Sequence, residues 1–218
     1  MYRSLVAVVA MSTAVASVAS VASADVTGYW DWEDGGSTIL GSYGNLAYAS
    51  NVYDPLGSGS RVLEIHEDPL SGTPQAFVAW ITGLTDGDLV TGSFLGLGDG
   101  STDSKTRIWG HYTSAGGDID SYDGSASGNS SYSGAEWTLL EHTWTFNGDG
   151  GNHDGLVIEA RLYSYSGGSG SAWIDDLNVN VVDVDGSGGI EIHFAAIPAP
   201  GAIALLGLAG LVTRRRRK

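Results

Sequence analysis

From residue 25 to residue 196 the chain sustains no apolar periodicity of the kind that builds a helix face. It is broken at short intervals by clusters of Gly, Ser, Asp and Asn. Between the breaks lie nine short runs: TGYWDWE, SRVLEIHE, QAFVAWITGL, LVTGSFLGLG, TRIWGHYT, EWTLLEHTWTF, GLVIEARLYSY, SAWIDDLNVNVV and GIEIHFAA. They are rich in β-branched and aromatic residues, and several alternate with the period of two that a pleated strand imposes. With no helix long enough to connect parallel strands, this pattern predicts an all-β fold, an antiparallel β-sandwich of the jelly-roll type. The longest break, SAGGDIDSYDGSASGNSSYSGAE, reads as a polar loop, because runs of the same kind flank it.

Alternation is clearest in GLVIEARLYSY. Leu156, Ile158, Ala160 and Leu162 point one way and form core; Glu159, Arg161, Tyr163 and Tyr165 point the other way, as an exposed row. TRIWGHYT repeats the scheme, with Arg107, Trp109 and His111 opposed to Ile108. If both rows lie on one sheet, Arg107, Trp109, His111, Glu159, Arg161 and Tyr163 form a surface that can stack a sugar ring and bond its hydroxyls. In LLEHTWTF, Leu140, Trp144 and Phe146 read as core.

Charge narrows the class of partner. All 25 acidic residues lie between Asp25 and Thr213, with only four basic ones, Arg61, Lys105, Arg107 and Arg161; 4 − 25 leaves −21. Such a surface repels phosphate backbones, so no nucleic-acid partner is expected. It suits solubility outside a cell and the collection of divalent cations. The chain has no cysteine, which removes disulfides, thiolate metal sites and a cysteine nucleophile. The sequences HExxH, GxSxG and GxxxxGK[ST] are absent, and the five histidines are scattered singly, so no enzyme is expected. Carboxylates are abundant, and composition alone leaves a jelly-roll glycoside hydrolase or lyase open.

The two ends are built differently. Residues 1–24 hold one cation at Arg3, an apolar stretch and the small-residue site Ala22-Ser23-Ala24. That order predicts a signal peptide cleaved before Asp25. The end, IPAPGAIALLGLAGLVTRRRRK, joins a proline pair to an apolar stretch and five cations. As a helix, residues 197–213 would span about 25 Å against a hydrocarbon core of about 30 Å. The cations would hold the tail on the cytoplasmic side.

This ending resembles the PEP-CTERM sorting signal of Gram-negative-type bacteria, with Pro198, Ala199 and Pro200 in place of Pro-Glu-Pro and with Arg214, Arg215, Arg216 and Arg217 as the basic tail. The resemblance implies processing by an exosortase-type enzyme, transient contact with the inner membrane through residues 197–218, and delivery to the cell surface or extracellular polysaccharide. The physical pattern alone is also that of a plain C-terminal membrane anchor.

Three body segments resemble carbohydrate-binding modules of the jelly-roll, galactose-binding-like kind: WDWEDGG, SRVLEIHEDPLSGTPQAFVAWITGLTDGDLVTGSFLG and SAWIDDLNV. In many such modules a structural calcium links the first and last strands, which by position implicates Glu33 and Asp175, with Asp176 as a substitute. Hard oxygen ligands on an acidic body suit Ca²⁺. The later segment VDVDGSGG partly matches an EF-hand loop, but Phe194 stands where the bidentate Glu belongs, and a glycine-rich hairpin turn is the expectation there. The resulting expectation is an exported, surface- or matrix-associated, non-catalytic protein that binds extracellular polysaccharide through a jelly-roll face. Its alternative is a structural matrix protein without a specific ligand.

Overall fold

The structure, a computed structural model, describes residues 25–100, 103–164 and 167–195. The expected signal peptide (1–24), the sorting signal (197–218) with Pro198, Ala199, Pro200 and Arg214, Arg215, Arg216 and Arg217, and Tyr165 all lie outside the described residues.

Twelve strands are described: β1 (Asp25–Trp30), β2 (Gly41–Tyr43), β3 (Leu46–Tyr53), β4 (Arg61–Glu67), β5 (Gln75–Thr82), β6 (Leu89–Leu97), β7 (Ser104–Ser114), β8 (Tyr122–Gly128), β9 (Thr138–Thr145), β10 (His153–Ser164), β11 (Ser171–Val182) and β12 (Glu191–His193). They form two antiparallel sheets. The first runs β3-β4-β11-β6-β9, with β1 also on β11; the second runs β12-β5-β10-β7-β8, with β2 also on β5. The expected all-β sandwich is therefore present.

Each face-to-face row follows the alternation of its strand. Leu156, Ile158, Ala160 and Leu162 of β10 are fully buried, and they meet Leu63, Ile65, Ile174, Val179 and Phe94 from the opposite sheet in one core. Leu140, Trp144 and Phe146 join it, as their spacing requires. Burying large aliphatic and aromatic side chains stabilises by about 1.5–3 kcal/mol each, the dominant favourable contribution in such a sandwich.

Several boundaries depart from the sequence reading. β1 stops at Trp30, and the chain then turns: Trp32 has φ 56° and is buried, with its indole N–H donating to the Thr38 carbonyl at 2.8 Å. The segment read as one polar loop contains β8, which pairs antiparallel with β7. β8 reaches β7 because Gly128 has no side chain: a Cβ there would lie 2.4 Å from the Ile108 carbonyl oxygen. The glycine-rich segment after β11 is not a hairpin turn, since β11 belongs to the first sheet and β12 to the second. It is a crossover, and Asp183 holds it by accepting from the backbone N–H of Gly186 and Gly188 at 2.8 and 2.9 Å.

β11 itself has two partners along one edge. Residues 171–174 pair with β4 and residues 177–182 pair with β1, with a register shift against β6 between Asp175 and Asn178. Asp176 takes φ 51° at this break. The kink brings the start of the fold and its last long strand to one acidic corner.

Candidate functional site

The two outward rows do lie on one sheet. β10 and β7 are paired so that Glu159 is opposite Trp109, Arg161 opposite Arg107, Val157 opposite His111 and Tyr163 opposite Lys105. Gln75 and Phe77 of β5 continue the face on the other side of β10, opposite Arg161 and Glu159.

The row is not the exposed one its alternation predicts. Glu159 is 0% and His111 1% exposed, while Arg107, Trp109, Arg161 and Tyr163 are half-buried. Loop 115–121, Tyr122 and the short strand β2 rise beside this face and take the two residues out of water. The buried carboxylate is held by hydrogen bonds on both oxygens: His111 Nδ1 lies 2.5 Å from Oε1, and Arg161 Nε donates to Oε2 at 2.6 Å. Gln75, with its amide oriented to satisfy both ends, donates to the same carboxylate and accepts from Arg161 Nη2 at 3.2 Å. A charge can be buried where it is paired and bonded in this way. A carboxylate only accepts, so the proton of that contact sits on His111 Nδ1. His111 Nε2 is buried and has no partner among the described residues.

Above this network is a cleft of about 500 Å³. Gln75, Phe77, His111 and Arg161 line its floor; Ser42 and Tyr43 stand on one side, and Ile119, Asp120 and Tyr122 on the other. Tyr43 and Tyr122 are 69% and 60% exposed, which leaves two rings free to meet a ligand. His111 packs between Phe77 and Tyr122, with ring centroids 4.9 and 5.4 Å away.

Along β7 the face continues as alternating cations and rings. The Arg161 and Arg107 guanidinium carbons lie 4.6 and 4.3 Å from the Trp109 ring centroid, and Arg107 also stacks at 4.8 Å on Tyr163. The Trp109 indole N–H donates to Ser125 of β8 at 2.9 Å, which fixes the ring plane. Tyr132, from the loop before β9, meets Tyr163 edge-on at 5.1 Å and Lys105 Nζ at 4.7 Å. The row is thus an open cleft at its His111 end and flanked by a tyrosine at its Lys105 end. Chemically it combines flat rings, fixed donors and a hydrogen-bonded charge, the means by which proteins bind sugars.

Gln75, Tyr43, Tyr122 and Tyr132 belong to this site and were not singled out in the sequence. Gln75 begins a recognised strand, and its outward position was the available signal. Tyr43 and Tyr122 begin or end strands in Gly- and Ser-rich segments and Tyr132 lies in a loop, and no periodicity marks them.

The acidic corner holds Glu33, Asp175 and Asp176, together with Asp31. Burial pushes the Asp175 carboxyl up to about 7, against one backbone hydrogen bond from Asp176; the charges of Asp176, Asp31 and Glu33 raise it further. Tyr29 donates to Asp176 Oδ1 at 2.5 Å, and that bond raises the phenol above its ordinary range. Glu33 Oε1 accepts from the backbone N–H of Arg61 at 2.8 Å. The donors are hard oxygens of the kind calcium takes, yet among the described residues no three His, Asp or Glu side chains are gathered as a metal-holding group. The corner is a set of hard-oxygen donors without a preassembled shell among the described residues.

These features define an all-β sandwich with a polar-aromatic cleft on the outer face of one sheet. No family model matches the sequence, and no curated protein does. Among solved structures, the chain is similar to the CBM22-2 xylan-binding domain of Paenibacillus barcinonensis Xyn10C at 17% identity and a TM-score of 0.49, covering 69% of this chain and 96% of that one. It is similar to the CBM22-1 xylan-binding domain of the same protein at 11% identity and a TM-score of 0.46, covering 72% and 94%. It is also similar to the CBM22-1–GH10 modules of Clostridium thermocellum endo-1,4-beta-D-xylanase 10B, complexed with xylohexaose, at 12% identity and a TM-score of 0.45; the match covers 77% of this chain and spans 28% of that one. Among the described residues no helix is long and apolar enough to cross a membrane.

Proposed function

We propose that this chain is a non-catalytic glycan-binding protein that takes a polysaccharide segment along the outer face of β7 and β10. The single observation that carries the reading is the half-buried Trp109 ring, oriented by two neighbouring guanidinium groups and set beside a 500 Å³ cleft floored by the Glu159–His111–Arg161 network. A half-buried, oriented indole stacks a sugar ring at little entropic cost, and buried donors then select its hydroxyls.

The two termini support export, with exosortase-type processing at the Pro198-Ala199-Pro200 tail and delivery to the envelope surface or extracellular matrix. The acidic corner supports a structural Ca²⁺ drawn by Glu33, Asp175 and Asp176, with Asp31 beside them; burial raises the Asp175 carboxyl, and the charges of its neighbours add to that.

The test is a glycan array on the full chain, repeated with Trp109→Ala and Tyr163→Ala. Loss of the bound sugars in both variants, with melting lowered by only a few degrees, is the expected result. Because both rings are half-buried, a cost of about 1–2 kcal/mol is expected rather than none. A collapse of the fold would make the rings structural, and release of shortened sugars from the array would replace binding by cleavage.

A further inference from the structure

Three of the four cations between residues 25 and 213, Lys105, Arg107 and Arg161, lie on the single face that carries the cleft. The fourth, Arg61, is on the other sheet and is bonded to Asn51. In a segment of charge −21 an arginine has many carboxylates to choose from, and Arg107 is paired with none of them among the described residues. Its Nε is buried without a hydrogen-bond partner, and its guanidinium is held instead over the rings of Trp109, Tyr163 and Tyr132. The charge of Glu159 is already taken up by Arg161 and His111. Burying the Nε–H donor without an acceptor is costly, and aromatic faces replace the attraction of an anion only in part.

We infer that the polysaccharide this face binds is anionic, and that Arg107 receives a carboxylate or sulfate group carried on a sugar ring stacked near Trp109. This rests on the glycan-binding reading of the same cleft. The chemistry is also polar along the face. Asp120 stands at the His111 end, so a negative group is repelled there and attracted at the Arg107 end. From Lys105 to His111, β7 spans about 20 Å at about 3.3 Å per residue, room for several sugars in register with the alternating cations and rings. Arginine fits the role because its planar fork matches carboxylate and sulfate oxygens in pairs.

The experiment measures Kd by calorimetry for the full chain, in chelator-treated buffer, with oligomannuronate, oligogalacturonate and oligoglucuronate. Each is compared with the same chain reduced at its carboxyl groups to the neutral sugar. At least one acidic oligomer is expected to bind tenfold or more tighter than its reduced form and to weaken as sodium chloride is raised. Arg107→Gln should abolish that difference, and Arg107→Lys should keep part of it, while circular dichroism reports both variants folded. Dextran sulfate, bound with the same dependence on Arg107, would extend the recognised group to sulfate. Equal Kd for acidic and reduced chains overturns the inference and leaves glycan binding standing. Failure to bind any of the oligomers or neutral arrays overturns both.

Discussion

Asp175→Asn is expected to stabilise the protein at pH 8 in calcium-free buffer and to do nothing at pH 3. Asp175 sits half-buried at the kink of β11, with Asp176, Asp31 and Glu33 around it, and its carboxyl is pushed from 3.8 to about 7. The folded state therefore holds this proton more tightly than the unfolded chain does. Below the unfolded value both states are protonated and the contribution is fully present. As pH rises from about 4 through about 7 it is lost, and above that the folded state carries an ill-placed charge. About three units at 1.36 kcal/mol each would amount to roughly 4 kcal/mol for a sequestered group, and solvent screening at a half-exposed site reduces this to about 2 kcal/mol. Asparagine keeps the acceptor that receives the Asp176 backbone N–H at 2.8 Å and removes the charge. For a domain of this size about 2 kcal/mol corresponds to a Tm gain of about 4–8 °C. The assay is calorimetric melting of both proteins with chelator from pH 3 to 9. The difference in Tm should rise from zero across pH 4–7 and then level off. A difference that is flat with pH would refute the reasoning. Excess calcium should reverse the order: at 100 times its Kd a folded-state ion contributes about 2.7 kcal/mol to the wild type. A wild-type melt indifferent to both chelator and calcium would remove the proposed ion from this corner.

Glu159→Gln should destabilise by about 3–5 kcal/mol, because Arg161 and buried His111 lose the anion that both contact. Urea unfolding measures it, and a loss under about 1 kcal/mol would mean that the network is not what holds the cleft floor. At the ends of the chain, intact mass of native material should lack residues 1–24 and the basic cluster Arg214–Arg217. Retention of that cluster would leave a plain anchor in place of exosortase-type processing.

How much could be read in advance differs between core and site. The period of two in GLVIEARLYSY placed Leu156, Ile158, Ala160 and Leu162 in the core, and the structure buries all four completely. The same period put Glu159 and His111 on the opposite face, which is correct, and exposed, which is not. Alternation reports which side of a sheet a residue takes; it is silent on what covers that side. The cover here comes from β2, β8 and loop 115–121, whose Gly- and Ser-rich sequences carry little hydrophobic signal. β8 was legible only as a loop, because its pairing with β7 depends on the backbone approach that Gly128 permits.

The sequence by itself determined the all-β class, the core faces, the acidic field and the scarcity of cations within it, since these follow from local periodicity and from counting charges. Tertiary structure decided the rest. Strand pairing put Arg161 opposite Arg107 from 54 residues away, the β11 kink gathered Asp175 and Asp176 near Glu33, and the crossover after Val182 carried the chain to the second sheet. Such juxtapositions depend on register and on which elements lie next to one another, and a residue's neighbours in sequence contain neither.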